Sequence, residues 1–357
     1  SGRHFFVPPQ GDTASRPSDC EPGSLRFNID SLKLEYFRGN TIGWVEIEAS
    51  SHEVGGGTGS NANSLGTRGF NAGRHVYETN IEFITISTLG DSQDFGDLTV
   101  GRFSMGNLVG SDSRMIFAGG YGYKNVIDFW TVQSLGNATD FGDLTDLRQQ
   151  MSGCNDKIRG IWGGGRGPGH SGVNTMDYVT IQTTGNAVDF GDFAAEKTTP
   201  ASCSSSTRGI WNYDTGPANE MVFVNIRCTG NTTTFGDGYG SRDMLGGQSS
   251  STRGMWAGQY SSTNTIAFIT MASTGNTTDF GDLTQGRYSF NSMSSFTRCV
   301  FGAGTHYSHP SFIKENTLDF VQIATTGNAV DFGDMAMMTN VVGNTAAGSN
   351  GHGGLSG

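Results

Sequence analysis

The chain has 357 residues, of which 55 are glycine and only 15% are charged, a composition that predicts a turn-rich all-β protein. Its net charge of -11 excludes the basic surface with which proteins bind nucleic acid, and no apolar run approaches the length of a membrane span. We therefore expect neither nucleic acid nor a membrane as a partner.

Residues 1–50 differ in composition from the rest of the chain. Residues 1–22 are polar and contain four prolines, which predicts an extended arm. Residues 23–50 alternate apolar and polar side chains on either side of an Asn/Asp/Ser turn, which predicts a small β-meander. Residues 51–63 are rich in glycine and are interpreted as a linker to a larger domain of residues 64–357.

The larger domain contains an internal repeat. Phe-Gly-Asp occurs six times at steps of 46, 49, 45, 45 and 52 residues, with its phenylalanine at 95, 141, 190, 235, 280 and 332. An apolar strand and a turn of the Gly-Asn type precede most copies, and an arginine followed by a short apolar run lies further upstream. Each repeat therefore predicts four short strands, and about 45 residues per four-stranded unit is the period of a β-propeller blade.

The ends of this domain predict how the ring closes. The sixth Phe-Gly-Asp is followed by enough chain for about one strand and a tail. We expect a six-bladed propeller in which the segment near 341–347 completes the blade begun by residues 67–99, so that no sheet edge stays open.

The repeats and the N-terminal meander each resemble known sequences. The order of arginine, strand, Gly-Gly, variable loop and turn from Arg102 through Gly119 and Gly120 to Thr145 resembles the kelch repeat, although phenylalanine replaces the kelch tryptophan. This resemblance implies kelch-like propeller geometry.

The segment that begins Gly23-Ser24-Leu25-Arg26-Phe27-Asn28 resembles a module of bacteriophage fibre proteins, and the Phe-Gly-Asp-Leu-Thr repeats resemble marine and cyanobacterial phage virion proteins. The resemblance implies a virion structural protein of a tail, neck or head fibre or appendage, made in the host cytoplasm and anchored by its N-terminal module. It implies other virion proteins as partners and a trimer as a candidate oligomer. The candidate attachment residues are Phe27, Leu34, Tyr36 and Trp44.

Three side-chain series recur from repeat to repeat. The arginines at 68, 114, 159, 208, 253 and 298 either line a channel that attracts an anion or pair with blade aspartates, and we favour the pairing. The aspartates of Phe-Gly-Asp are expected to accept hydrogen bonds from turn amides. Trp162, Trp211 and Trp256 are expected in the core between blades, with an aromatic platform for sugars as the alternative.

The loops between the second and third strands vary in length between repeats and should open on one face. Variable loops on a rigid scaffold are a usual place for recognition, with host-surface glycan as the candidate ligand, and solvated loops or contacts to virion proteins as the alternative. The candidate recognition residues are His75, Tyr77, Tyr121, Tyr123, His170, Tyr213, Tyr260, His306, Tyr307 and His309.

The sequence predicts no enzyme, no cofactor and no metal site. His306 and His309 lack an accompanying Asp or Cys ligand, no serine lies in Gly-x-Ser-x-Gly, and the five cysteines are expected to be reduced. Two alternatives stay open: a propeller enzyme acting on surface polysaccharide, which needs acidic residues at the channel mouth, and a cellular kelch-like adaptor.

Overall fold

A computed structural model of the chain describes residues 8–31, 33–47, 67–74, 78–103, 106–213, 219–238, 246–258, 263–289, 291–308, 311–336 and 345–355. The chain divides into two compact units, Ser1–Ser51 and His52–Gly357. The expected linker at 51–63 lies outside the described residues.

The first unit contains one four-stranded sheet in the order β1-β2-β3-β4. Its strands are β1 (Gln10–Gly11), β2 (Leu25–Asn28), β3 (Lys33–Phe37) and β4 (Trp44–Glu46). The pairs β2–β3 and β3–β4 are antiparallel, which is the predicted meander, and β1 adds to β2 in parallel.

Within residues 1–22, predicted as an extended arm, β1 adds to the edge of the sheet. The edge of β2 offers unpaired backbone groups, and the segment before it pairs with them: the Phe27 amide donates to the Pro9 carbonyl oxygen at 2.8 Å, and the Ile29 amide donates to that of Gly11 at 3.1 Å.

The second unit is also all-β among its described residues, apart from a short 3-10 helix at Gly353–Leu355. Its first strands are β5 (Arg68–Arg74), β6 (Glu78–Thr85), β7 (Gln93–Asp97), β8 (Val109–Gly110), β9 (Arg114–Ala118), β10 (Lys124–Thr131), β11 (Thr139–Arg148), β12 (Ser152–Asn155), β13 (Arg159–Gly163), β14 (Val173–Thr180), β15 (Val188–Lys197) and β16 (Ala201–Ser204). The later strands are β17 (Arg208–Asn212), β18 (Glu220–Asn225), β19 (Thr233–Asp237), β20 (Gly246–Ser249), β21 (Arg253–Ala257), β22 (Thr265–Thr270), β23 (Thr278–Asp282), β24 (Asn291–Ser294), β25 (Arg298–Ser308), β26 (Ser311–Gln322), β27 (Val330–Asp334) and β28 (Ala346–Ser349).

These strands form six four-stranded antiparallel sheets in the described part of the unit. Sheet 1 has the order β28-β5-β6-β7, and sheets 2 to 6 take β8–β11, β12–β15, β16–β19, β20–β23 and β24–β27 in turn. This architecture is consistent with β-propeller blades. The C-terminal strand β28 pairs with β5, Ala346 opposite Ala72, so it begins later than the segment near 341–347 that the sequence predicted.

Each sheet packs against its neighbours through clusters of buried apolar side chains. Six clusters each join two successive sheets, and one of them joins sheet 6 to sheet 1 through Val300, Leu318, Ile84 and Ile86. Because both faces of a sheet are covered, its middle strands are apolar on almost every residue.

The tryptophans predicted to lie in the core do so. Trp162, Trp211 and Trp256 belong to three of these clusters and are at most 1% exposed. The indole N–H of Trp211 donates to the Ser152 carbonyl oxygen of the preceding sheet at 3.1 Å. Buried rings of this kind cannot serve as a sugar platform.

The first strands of the sheets carry small polar residues that bond from sheet to sheet. The Ser294 hydroxyl donates to the Ser249 carbonyl oxygen at 2.8 Å, the Ser249 hydroxyl donates to that of Ser204 at 2.6 Å, and the Ser349 hydroxyl donates to that of Ser294. The Asn155 amide donates to the Ser204 hydroxyl at 3.4 Å. Serine fits these positions because the strands lie close together and their buried polar groups need partners.

Side chains and backbone from elsewhere in the chain fill the space between the first strands. The Asn107 side-chain amide of sheet 2 reaches sheets 4 and 5, donating to the carbonyl oxygens of Ser202 at 2.6 Å and Gly247 at 2.8 Å. The tail that follows β28 is buried at the opposite ends of the first strands. It lies so close to them that a Cβ atom at Gly354 would overlap the Asn155 carbonyl oxygen.

The Phe-Gly-Asp motif forms a clasp between neighbouring sheets. The Gly136 amide donates to the Phe95 carbonyl oxygen at 2.9 Å, the Ala138 amide to that of Asp97 at 2.7 Å, and the Asp97 amide to Asn137 Oδ1 at 3.1 Å. The asparagines with this role are Asn137, Asn186, Asn231, Asn276 and Asn328. The expected acceptor was the carboxylate. At Asp97 the backbone makes these bonds and the carboxylate accepts from the Thr79 hydroxyl, whereas the Asp237 carboxylate does accept from Asn276 Nδ2 at 3.0 Å.

The clasp between sheets 6 and 1 differs by one residue. Gly90 donates to the Phe332 carbonyl oxygen at 3.0 Å, and the Asp334 amide donates to Asp91 Oδ1 at 3.0 Å, so aspartate replaces asparagine. Burial, and then the charges of Asp91 and Asp331, raise the pKa of Asp334.

The first arginine series has a structural role, but the predicted pairing with aspartates is wrong. Arg253 lies over the Phe268 ring of its own sheet, 4.6 Å from the centroid, and its Nη1 donates to the Ile323 carbonyl oxygen of the next sheet at 2.7 Å. The same stacking recurs at all six positions, over Phe83, Phe129, Tyr178, Phe223, Phe268 and Phe320. Each of these guanidinium groups donates to a carbonyl oxygen of the next sheet, which takes the place of the expected aspartate.

A second arginine series makes the ion pairs. Arg102 and Asp128 are fully buried with Nη1 and Oδ2 2.9 Å apart, and the Thr99 hydroxyl donates to the other carboxylate oxygen at 2.6 Å. The same triad recurs as Arg148, Asp177 and Thr145, and as Arg287, Asp319 and Thr284. Sheets 4 and 5 carry Val222 and Ala267 at the aspartate position, opposite Trp211 and Trp256.

Candidate functional site

The N-terminal sheet has two faces of opposite character. In β2 and β3, Arg26 lies opposite Glu35, and Leu25 lies opposite Tyr36. Because opposed residues share a face and successive residues alternate, one face carries the charged side chains together with Phe37 and Trp44, and the other carries only uncharged, mostly apolar side chains. The polar face is the buried one, since Arg26 and Glu35 are 4% and 0% exposed.

The segment before β2 covers the polar face. Arg16 donates to the Glu35 carboxylate through Nε at 3.3 Å and through Nη2, and Asn28 Nδ2 donates to it at 2.9 Å. The bonds from Arg16 hold the pKa of Glu35 below its ordinary value. Trp44 Nε1 donates to the Pro17 carbonyl oxygen at 2.8 Å, which fixes the covering segment over the sheet.

The apolar face is exposed or half-buried instead. Leu25, Ile29 and Ile47 are 41%, 49% and 37% exposed. The side chains that the strand alternation assigns to this face are Leu25, Phe27, Ile29, Leu34, Tyr36, Val45 and Ile47. None of them is charged, so the face is suited to an apolar partner.

The four predicted attachment residues are divided between the two faces. Phe27, Leu34 and Tyr36 lie on the apolar face. Trp44 lies opposite Phe37, its ring centroid 5.5 Å from that of Phe37, in the covered face. The predicted attachment residues do not include Leu25, Ile29, Val45 and Ile47, although the alternation that places these four on the apolar face is visible in the sequence.

In the second unit, two predicted recognition loops meet between sheets 2 and 3. Tyr121 stacks on Phe103 with the ring centroids 4.5 Å apart and the planes 15° apart. The Tyr121 amide donates to the Phe103 carbonyl oxygen at 2.7 Å. Phe103 is buried and Tyr121 is 41% exposed, so the tyrosine ring rests on a buried support.

Tyr123 and His170 connect the two loops. The Tyr123 hydroxyl lies 2.7 Å from His170 Nδ1, and the two rings meet edge to face. Their φ angles are 55° and 65°, in the left-handed region that bulky side chains rarely adopt. Backbone held in this region is characteristic of positions that the surrounding structure fixes strongly.

Gln149, which the sequence analysis did not identify, holds both loops. Its backbone exchanges hydrogen bonds with Arg166 at 3.0 and 2.8 Å, and its side-chain oxygen accepts from the Gly122 amide at 3.1 Å. It is 4% exposed and follows the end of β11. No motif marks it, because its role arises from the meeting of two loops distant in sequence.

Tyr213, another predicted recognition residue, is buried and does not lie on the loop surface. It is 4% exposed, its hydroxyl donates to Glu220 Oε2 at 2.9 Å, and the Lys197 ammonium lies 3.7 Å from its ring centroid. Burial raises its pKa. The prediction is wrong here because the loop position adjoins the core between sheets 3 and 4.

The longest predicted loop, 302–316, is largely a hairpin extension of β25 and β26. His306 Nδ1 lies 2.9 Å from Glu315 Oε1 and 3.0 Å from Gln285 Nε2. Tyr307 lies in β25, but its side chain is not described. The remaining candidates, His75, Tyr77, Tyr260 and His309, lie outside the described residues.

No protein-family model matches the chain, and no curated protein matches its sequence.

Two structural features are absent from the described residues, a metal-ligand cluster and a membrane-spanning helix. No group of three or more His, Cys, Asp or Glu side chains there is placed to hold a metal ion. The same part of the chain contains no helix of the length and apolarity that crossing a bilayer requires.

Proposed function

We propose that the chain is a structural protein of a phage virion, part of a tail, neck or head fibre or appendage. Its N-terminal sheet docks on neighbouring virion proteins, and its second unit is a six-bladed, kelch-like β-propeller that is displayed for further contacts. The observation that carries the proposal is the reversed sheet of the first unit, whose charged face is covered by its own chain and whose apolar face is exposed or half-buried.

The reversed sheet supports docking on energetic grounds. Burying apolar surface stabilises an assembly by about 25 cal/mol per Å². The sheet covers Glu35 and Arg26 with its own chain and leaves Leu25 and Ile29 exposed. Burial of these two apolar side chains against another molecule would therefore stabilise the assembly. The lack of charge on the face fits a permanent contact within a particle.

The links between sheet 6 and sheet 1 support the closed ring. The core cluster with Val300 and Ile84 and the Ser349–Ser294 bond repeat the contacts made between the other neighbouring sheets. In a closed ring, the first strands of the six sheets surround a central space, which Asn107 and the C-terminal tail fill. Contacts with other molecules are then made on the two faces of the ring where the strands end.

The docking proposal is tested by placing charge on the apolar face. In a phage that depends on this chain, Leu25→Asp and Ile29→Asp are expected to remove it from purified particles, measured by immunoblot and by cryo-electron microscopy. Ile313→Asp is the matched control, because Ile313 is 41% exposed, like Leu25, but lies in the second unit. Normal incorporation of both N-terminal variants would overturn the proposal, as would absence of the wild-type chain from particles.

A further inference from the structure

Most outer edges of the sheets are covered in the part of the chain that the structure describes. In the second unit, the phenylalanine carbonyl oxygen of every Phe-Gly-Asp accepts a hydrogen bond from the turn of the next sheet. The six bonds measure 2.8–3.0 Å, and their donors are the amides of Gly90, Gly136, Gly185, Gly230, Gly275 and Gly327. In the first unit, Pro8 and Pro9 precede the edge strand β1, and proline is a residue that blocks further strand addition.

The edge strand β4 has neither kind of protection. It is the last strand of its sheet and contains no proline and no lysine. On its inner side, the Ile47 amide donates to the Leu34 carbonyl oxygen of β3 at 2.7 Å. Because residues that bond to the neighbouring strand alternate with residues that do not, the N–H and C=O groups of Trp44 and Glu46 point away from β3.

These outward groups form an open edge. Among residues 8–31 and 33–47, the backbone N–H and C=O groups of Trp44 and Glu46 have no hydrogen-bond partner. The one charged side chain of β4 is Glu46, whose Oε2 lies 2.9 Å from Lys33 Nζ. An approaching strand therefore meets four free backbone groups and a carboxylate that is already paired.

We propose that β4 pairs with β4 of a second copy of this chain in antiparallel orientation, which joins the two N-terminal sheets into one sheet of eight strands. In this register, Trp44 of each copy exchanges two hydrogen bonds with Glu46 of the other, and the four bonds use every outward group of both edges. Val45 lies opposite Val45 of the second copy, and a close pair of β-branched side chains stabilises a sheet.

A second copy fits this edge because the edge is complementary to itself. Its bonding groups are arranged about Val45, so a half-turn at that residue brings donors onto acceptors, and each contact occurs twice. Each edge is used once, so the assembly closes at two copies. Since opposed residues share a face, the apolar faces of both copies become one continuous surface. The pairing itself does not depend on docking by that surface.

The test measures the mass of the full chain by sedimentation equilibrium as its concentration is raised, and the wild type is expected to pass from monomer to dimer. Glu46→Pro removes one outward N–H from each copy, two of the four bonds, and proline is tolerated where the N–H faces solvent. It is expected to weaken dimerisation about tenfold or more. Glu46→Ala is the matched control, because it keeps the N–H, and should dimerise as the wild type.

Two further variants separate the edge from the apolar face. Val45→Lys places two ammonium groups side by side at the centre of the pairing and changes no backbone group, so it should abolish the dimer and serves where Glu46→Pro fails to fold. Leu25→Asp changes the apolar face on β2, away from β4, and is expected to keep the dimer even where it prevents docking on particles.

Amide exchange measured by NMR locates the contact. The Trp44 and Glu46 amides should become protected as the dimer forms, whereas the Val45 amide, which faces β3, should change little. A wild-type chain that stays monomeric at millimolar concentration, or that forms a trimer, would overturn the proposal. A dimer that persists in both Glu46→Pro and Val45→Lys would overturn it as well.

Discussion

Arg298 Nη1 in sheet 6 donates to the Ile86 carbonyl oxygen in sheet 1 at 3.1 Å. The bond joins the last sheet along the chain to the first. The Arg298 guanidinium stacks on the Phe320 ring, as that of Arg253 stacks on Phe268. Arg253 makes the corresponding bond between sheets 5 and 6, to the Ile323 carbonyl oxygen. The junction of the two ends thus uses the same contact as an internal junction.

Substitution of these two arginines compares the junctions. Arg298→Lys and Arg253→Lys each lose the planar stacking and the fixed donor, and each is expected to lower the free energy of unfolding by about 1–2 kcal/mol. Chemical denaturation measures both. A loss confined to Arg253→Lys would show that sheets 6 and 1 separate in solution and would contradict a closed ring.

The buried triads predict a large single-site effect and a compensating pair. Arg148→Leu leaves the Asp177 carboxylate without its ion-pair partner at 0% exposure, and is expected to cost about 3–5 kcal/mol of unfolding free energy. Adding Asp177→Val places valine at the position that Val222 occupies in sheet 4. The double variant should recover at least half of the lost free energy of unfolding. A double variant no more stable than Arg148→Leu would show that packing, and not the unpaired charge, sets the cost.

The clasp between sheets 6 and 1 predicts a stabilising substitution. Asp91→Asn keeps an oxygen for the Asp334 amide, as in the five other clasps, and removes a negative charge near the Asp334 carboxylate. Because the pKa of Asp334 is raised in the folded protein, its ionised form destabilises the fold at neutral pH, and this cost disappears below about pH 4, where the carboxyl is protonated in both states.

Asp91→Asn is therefore expected to raise the free energy of unfolding at pH 7 by about 0.2–1 kcal/mol, the range for exposed charges. The gain should shrink as the pH falls toward 3 and as salt is added. Asn137→Asp, the reverse change in the clasp of sheets 1 and 2, is the control and should destabilise. A gain that is independent of pH would show that the charge is not its cause.

The C-terminal tail predicts an acid-sensitive stability. His352 is 5% exposed, its Nδ1 accepts from the Gly354 amide at 3.1 Å, and burial lowers its pKa to about 4. In the unfolded chain, His352 binds a proton with the ordinary histidine pKa near 6.5. The free energy of unfolding therefore has its full value above that pH and falls as the pH drops toward 4. The loss over this interval should be about 3 kcal/mol.

His352→Asn keeps an acceptor and removes the titration, so it should flatten the stability profile between pH 6.5 and 4. His306→Gln, at a histidine paired with Glu315 on the hairpin, is the control. An equal slope in wild type and His352→Asn would assign the acid sensitivity to another group.

The sequence predicts the repeated parts of this molecule far better than the unrepeated ones. Phe-Gly-Asp, the arginines and the tryptophans recur, so their strands and burial follow from the period. Their partners do not follow, because partner choice depends on which groups meet across neighbouring sheets: Arg253 reaches a carbonyl oxygen, and Arg102 reaches an aspartate.

The candidate surfaces show the same limit. Alternation in β2 and β3 predicts two faces, but not that the charged one is covered, since Arg16 folds back from a segment without periodicity. Tyr121 and Tyr123 are correctly placed on a loop, whereas Tyr213 at a similar sequence position is buried. Loop length alone does not distinguish them.

The pairing of β28 with β5 imposes an order on biosynthesis. Sheets 2 to 6 are complete once the ribosome has passed Asp334, but sheet 1 waits for residues 346–349 with the edge of β5 unpaired. An edge that stays unpaired until the last strand is made accepts that strand from its own chain or from a second copy, so strand exchange is a second expected route to a dimer of this protein.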